Sequence, residues 1–230
     1  QNIKKLNLSK VDYLINCSSH KNFFDKNYEK KFDRNYILSN IVIKQNAKLI
    51  MLSSRQVYEP KLNITEKSKI KPINLYAKNC IKSEINCEKI LNKRLIILRL
   101  SNIFGYEVGK KKKPSLISIF ISGLKQKKVT FDNNYYLYKD FLPINYLSKY
   151  IYRILLKNNF SGILNVGSGI PIRVYNFLNK LKIKKKIIIK IILKKKFKDK
   201  NFSFNTKKLK KITRIDLKKK QIYLELKKLN

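Results

Sequence analysis

The chain has 230 residues, 43% of them hydrophobic, enough for one sizeable core and too many for a chain disordered throughout. Its formal charge of +40 comes from 54 lysines and arginines against 14 aspartates and glutamates, but the lysines are scattered among isoleucine and asparagine without any nucleic-acid motif, so a general Lys/Ile/Asn bias is favoured over a selected polyanion-binding role. Cysteines that are odd in number and form no CxxC pair, a single histidine, and the lack of a signal pattern or an apolar run of about 18 to 20 residues argue against a disulfide framework, a zinc site, export and a membrane span, and so predict a soluble cytoplasmic protein.

Val11 to Cys17 is a short apolar strand pattern ending in Ser18-Ser19-His20. From Asn22 to Asn46 the residues Phe32, Tyr36, Ser39 and Ile43 recur at helical spacing, which predicts a crossover helix and hence a parallel partner strand. That partner is the apolar run Lys48 to Leu52, which delivers Ser54 to its C-terminal end, where open α/β sheets bind ligands. Pro72 biases Lys71 away from helix, and Asn74 is an N-cap candidate for a helix from Leu75 to Lys93 with Tyr76 in its first turn. A hydroxyl and a phenol are thus presented by neighbouring elements.

Arg94 to Leu100 is a third strand pattern, and the Ser101-Asn102-Ile103-Phe104-Gly105 that follows it reads by itself as a turn. Lys110 to Lys113 reads as a solvated loop, Leu116 to Leu124 as a helix, Val129 to Phe131 as a short strand, and Tyr135 to Tyr138 as β-prone. A helix over Asn145 to Lys157 and a strand over Ile163 to Val166 follow, then a turn at Gly167 and Gly169 into a helix over Pro171 to Leu181, with Pro171 suited to the first helical position. Beyond Lys182 the pattern predicts a strand over Ile187 to Leu193, a lysine-rich loop, and two short helices around Leu209 and Leu224.

Leu52-Ser53-Ser54-Arg55-Gln56-Val57-Tyr58, followed by Thr65-Glu66, Pro72, Tyr76 and Glu84, resembles the extended short-chain dehydrogenase/reductases, the NAD(P)-dependent nucleotide-sugar epimerases, dehydratases and reductases. Arg99, Asn102 and Gly105 are similar to that family's Arg-x-x-Asn-x-x-Gly segment, and Lys139-Asp140-Phe141 with Tyr146-Leu147 to its Arg-Asp-Phe segment. The resemblance spans about residues 11 to 212 and is densest from 48 to 105. It implies an α/β fold: a Rossmann-like parallel sheet with helices on both faces, N-terminally truncated, plus a small C-terminal substrate lobe. The whole of 1 to 230 would be one domain, about 1 to 105 being the remaining Rossmann core and about 106 to 230 mixed core and substrate lobe. Because the first glycine is Gly105, the family's glycine-rich phosphate loop is expected to lie upstream, in roughly two βα units of about 30 residues each.

By this resemblance Ser54 and Tyr76 fall on the catalytic positions, and Cys80 stands at the family's lysine position. Cys17, Ser18, Ser19 and Leu100 fall on the cofactor side, Asn102, Lys139 and Asp140 on the substrate side, and no metal is implied. NAD or NADP is the implied cofactor, a nucleotide sugar the implied substrate, and a homodimer the implied assembly, with neither membrane nor nucleic acid as partner. In the implied mechanism the tyrosine exchanges a proton with a sugar hydroxyl that the serine steadies. A cation four residues on would sit above it on the same helix face, and Cys80 brings none. Two further readings stay open: a degenerate relative serving as a binding or structural subunit, and a basic protein for nucleic acid.

Overall fold

The computed structural model describes residues 10–106, 117, 120–121, 136–157, 159–182 and 200–229. Strands β1 (Tyr13–Asn16), β2 (Lys48–Ser54), β3 (Leu95–Leu100) and β6 (Gly162–Val166) pair in parallel in the order β1-β2-β3-β6. The first three are parallel neighbours, as their apolar runs predict, and their C-terminal ends share one rim. A smaller sheet is formed by β4 (Asn102–Phe104) and β7 (Pro171–Arg173) on either side of β5 (Tyr138–Pro143), parallel to the first and antiparallel to the second.

The alternation of side chains along a strand sends successive residues to opposite faces. Leu49, Met51, Leu95 and Ile97 therefore pack on one side against Leu38 and Val42 of α2 (Arg34–Val42) and Cys87 and Leu91 of α3 (Leu75–Leu91). Ile50, Ile96, Leu98, Leu164 and Val166 pack on the other. There they meet Tyr150 and Ile154 of α4 (Ile144–Leu155), Phe177 of α5 (Val174–Lys182), Leu209 of α6 (Lys207–Thr213) and Ile222 of α7 (Lys219–Lys227). Each such side chain fully buried contributes roughly 1.5 to 3 kcal/mol. This is the Rossmann-like sheet with helices on both faces that the sequence predicts.

Local chemistry sets the helix starts. Asn74 accepts from the Ala77 N–H at 2.9 Å and caps α3, while Asp33 accepts from Asn35 and Tyr36 N–H and caps α2. The polar stretch read as one crossover helix is thereby divided into the short α1 (Asn22–Asp25), a 3₁₀ turn at Lys30–Phe32, and α2. A second correction concerns Pro171. The helix begins at Val174, and Pro171–Arg173 is strand, with Ile172 buried and in register with Lys139. An edge strand tolerates proline, and β5 offers the free edge that this segment takes. Of the helix expected at Leu116 to Leu124, Ile117, Phe120 and Ile121 are described and helical. The expectations for Lys110 to Lys113, Val129 to Phe131 and Ile187 to Leu193 lie outside the described residues.

A buried polar network ties the core together beneath the rim. Arg99 of β3 sets Nη2 against Glu84 Oε2 of α3 at 2.5 Å, and its Nε donates to both carboxylate oxygens at 3.1 and 3.2 Å. Ser53 of β2 donates to Glu84 Oε1 at 2.5 Å, and Arg99 Nη1 donates to Tyr58 Oη at 2.7 Å. Tyr58 Oη in turn donates to Asn165 Oδ1 of β6 at 2.8 Å. Removing one member of a buried pair leaves the other charged and unpaired, so Glu84→Ala is expected to lower the unfolding free energy in urea by about 3 to 5 kcal/mol. The double change Glu84→Leu with Arg99→Met is expected to recover most of that loss.

Candidate active site

Ser54 closes β2, with its Oγ accepting from the Gln56 N–H at 3.2 Å, so the chain leaves the strand in a 3₁₀ turn at Arg55–Val57. Tyr76 comes two residues after the Asn74 cap. The two are close enough for the Ser54 hydroxyl to pull the Tyr76 pKa down. Burial nevertheless dominates and pushes the phenol well above its usual value, and Cys80, one turn along the same helix, adds to the rise. The Cys80 thiol is itself pushed up to about 12, mainly by burial, and is neutral at pH 7. Tyr76 and Ser53 nearby pull it the other way and do not offset the burial.

An aromatic wall completes the surroundings of Tyr76. Phe24 of α1 stacks on its ring at 5.0 Å between centroids and 20° between planes, and Phe23 meets it edge-on at 6.2 Å. Asn79, buried in α3, holds α1 in place by donating to the carbonyls of Phe23 and Lys26, each at 2.9 Å. The Phe23-Phe24 pair is a site element that sequence reading misses, and an aromatic doublet inside an otherwise polar stretch is the signal that could have found it.

Cys17, Ser18 and Ser19 follow β1 at the same rim and line a pocket of about 170 Å³ together with Leu52, Tyr76 and Cys80. Asn16 orients this turn, accepting from the Ser18 N–H and hydroxyl at 2.9 and 2.8 Å while donating to Asn35 at 2.6 Å. Leu100 lies outside the pocket lining, in register beside Ser54 on β3. His20 stacks on Phe32 and accepts from the Asn22 N–H, a structural use.

The substrate-side expectations divide. Asn102 is at the rim, its amide engaged at both ends: Oδ1 accepts from Arg55 Nε at 3.0 Å, and Nδ2 donates to the Asp140 carbonyl at 2.7 Å. Lys139 and Asp140 are both turned into the protein. Lys139 is 5% exposed and donates to the Lys200 carbonyl at 3.1 Å. Asp140 is 0% exposed. Its oxygens accept from the Ser168 N–H and hydroxyl, the Gly169 N–H and the Phe204 N–H at 2.7 to 3.1 Å. Burial raises its pKa against the pull of those donors. A Cβ on Gly167 would lie 2.7 Å from this carboxylate, so glycine is what the close approach admits. Asp140 thus binds the turn after β6 to the returning chain, and offers a substrate no surface.

Residues 2–167 match the NAD dependent epimerase/dehydratase family. The chain belongs to that family. Among solved structures, the UDP-N-acetylglucosamine 4-epimerase of Methanobrevibacter ruminantium M1, in complex with UDP-N-acetylmuramic acid, superposes with a TM-score of 0.83 at 16% identity, over 99% of this chain and 79% of that one. The dTDP-glucose 4,6-dehydratase of Bacillus anthracis str. Ames, in complex with NAD, gives 0.77 at 19% over 95% and 71%. RMD of Pseudomonas aeruginosa, complexed with NADPH, gives 0.77 at 18% over 94% and 79%. At these identities the likeness is one of fold. No curated protein matches the sequence.

For the family's dinucleotide the rim offers a pocket with room for part of the molecule only. The pocket is walled by small side chains after β1 and reaches Tyr76, while its 170 Å³ falls short of the roughly 300 to 1,000 Å³ of a pocket for a whole ligand. Exchanging Cys80 for lysine would set a cation beside the phenol. Cys80→Lys is therefore expected to lower the Tyr76 pKa by roughly 1 to 3 units, read by ultraviolet titration of tyrosinate against a Tyr76→Phe control.

Proposed function

We propose that this chain is an NAD(P)-dependent epimerase, dehydratase or reductase of a nucleotide-linked sugar, with Ser54 and Tyr76 as the residues that meet the reacting hydroxyl. The observation that carries this is the placement of a strand-end hydroxyl and a first-turn phenol on neighbouring elements beside a rim pocket, in a member of this family. Structural neighbours of the chain include enzymes bound to NAD, to NADPH and to a nucleotide sugar. The nicotinamide, when bound, supplies hydride transfer. Cys17, Ser18 and Ser19 would line its place, and the Leu100 backbone would border it.

Ser54 holds the sugar oxygen by hydrogen bonding, and Tyr76 exchanges the proton on that oxygen. With its pKa raised, Tyr76 is protonated at neutral pH, the state that can donate to a carbonyl, and only a small phenolate fraction is available to remove a proton. The sign follows: oxidation at the sugar climbs with pH, about tenfold per pH unit while pH stays below the phenol pKa. The three free thiols fit a reducing cytosol.

A second reading, a family member that binds nucleotide sugars without turning them over, is favoured by two observations at the same residue. Tyr76 carries Phe24 across one face and a neutral thiol where a cation would activate it. A pH-rate profile over a panel of nucleotide sugars with NAD and NADP separates the two. Turnover that rises with pH and is abolished by Tyr76→Phe is the result expected. Binding of nucleotide sugar with no turnover in wild type or in Cys80→Lys, although cofactor binds, would establish the second reading.

With no glycine before Gly105 to admit a pyrophosphate against backbone N–H groups, the 230-residue chain is expected to bind NAD(H) and NADP(H) with a Kd above about 1 mM by calorimetry. Micromolar binding would show that the pyrophosphate is held without such a loop.

A further inference from the structure

Arg55 belongs to neither the core network nor the hydroxyl pair, and its geometry is specific. It is the first residue after Ser54 and is half-buried at the rim. Its guanidinium lies over the Phe202 ring at 4.7 Å from the centroid, and its Nε donates to Asn102 Oδ1 at 3.0 Å. Both supports are themselves fixed. Asn102 is tied to the Asp140 carbonyl, and Phe202 is 1% exposed with its N–H donating to the Tyr138 carbonyl at 2.9 Å. The guanidinium is thus ordered by a ring below and an amide at its side, whereas an exposed arginine would lose its rotamer freedom at the moment of binding.

We infer that Arg55 is the specificity-determining cation of the site, reading the diphosphate of a nucleotide-linked substrate whose sugar hydroxyl meets Ser54 and Tyr76. The inference rests on the proposed function and adds the group that recognises the anion. Three facts of chemistry support it. Consecutive Cα atoms are about 3.8 Å apart, so Arg55 begins where Ser54 ends. A glycosyl diphosphate carries its charge one sugar ring from the hydroxyls that react, within reach of an arginine side chain placed there. A guanidinium is a planar fork that matches phosphate oxygens two at a time and stays charged at every working pH, which an ammonium cannot match in geometry. Asn102 then acts as a positioning residue for Arg55 through Oδ1.

The general positive charge of the chain is the competing explanation for any anion binding, and the experiment is built to exclude it. Calorimetry of the full 230-residue chain with UDP and UDP-glucose at two salt concentrations would compare wild type, Arg55→Met, Arg55→Lys and Lys93→Met. Lys93 is exposed in the turn that precedes β3, at the opposite end of the sheet from the rim, and its loss removes the same charge. Arg55→Met is expected to weaken both probes about 10- to 100-fold, Arg55→Lys about tenfold, and Lys93→Met less than twofold. Thermal unfolding monitors the variants, and if Arg55→Met fails to fold, the Arg55→Lys loss decides. Wild-type affinity retained in Arg55→Met, or in Arg55→Lys in that case, overturns the assignment of Arg55 and leaves the proposed function standing. An equal loss in Lys93→Met overturns it in favour of diffuse charge. Absence of binding to wild type at both salts overturns it together with the proposed function.

Discussion

The ion pair between Arg99 and Glu84 is the constraint on which the site's geometry depends. Each side chain is 4% exposed, and two charges taken so far from water are stabilising only if their remaining donors and acceptors are satisfied. Here they are: the carboxylate also receives the Ser53 hydroxyl, and the guanidinium also reaches Tyr58 and lies over its ring at 4.8 Å. Because each partner sits on a different element, satisfying the pair fixes β2, α3, β3 and β6 against one another. Tyr76, Cys80 and Glu84 follow at intervals of four, so they share one stripe of α3. Anchoring Glu84 therefore sets the rotation of the helix that turns Tyr76 toward the rim, while anchoring Ser53 sets the strand end at which the next residue, Ser54, meets that phenol.

How much of this was legible in the sequence differs by element, and the difference is physical. The strands at Tyr13, Lys48, Leu95 and Gly162 pack apolar side chains on both faces, the middle two being the most deeply buried, and read as apolar runs bounded by polar residues, which needs no partner to be recognised. Asn74 names the start of α3 because a cap is a contact within four residues. Pro171 misleads because its state is decided by a distant edge: the same Pro-Ile-Arg that suits a first helical turn pairs with β5 once that strand lies beside it. The inward turn of Lys139 and Asp140 is hidden for the same reason. Their position in the chain is marked by their motif, but their direction is set by residues 200–204, which return more than fifty positions later to receive them. Phe24 was hidden by the polarity around it and is explained only by the ring it covers.

The abundance of lysine does not compensate for what position 80 lacks. Charge on exposed side chains is screened over about 8 Å at physiological salt and works through high dielectric, so a formal +40 spread over the surface acts weakly on a half-buried phenol. What counts at Tyr76 is the group one turn away. That group is a thiol raised to about 12, which presents no positive charge to stabilise a phenolate. Ser54 lowers the phenol pKa, but a neutral hydrogen bond acts against burial and loses.

The features that hold the fold and the feature that sets the acidity of Tyr76 are therefore separate. The Arg99–Glu84 pair fixes the stripe of α3, and Asp140 laces the turn at Ser168 and Gly169 to Phe204, yet neither contributes charge to the phenol. Cys80 fills its position in the core without a defect, being 4% exposed and packed with Val57 and Ile64 in the cluster beneath the aromatic wall. A thiol is a small, nearly apolar group, and burying it is easier than burying an ammonium. Fold stability thus places no demand for lysine at that position, and selection for a cation there would have to come from proton transfer alone. A chain can keep every support of the rim, the hydroxyl pair included, while the strength of its base is set independently by one side chain.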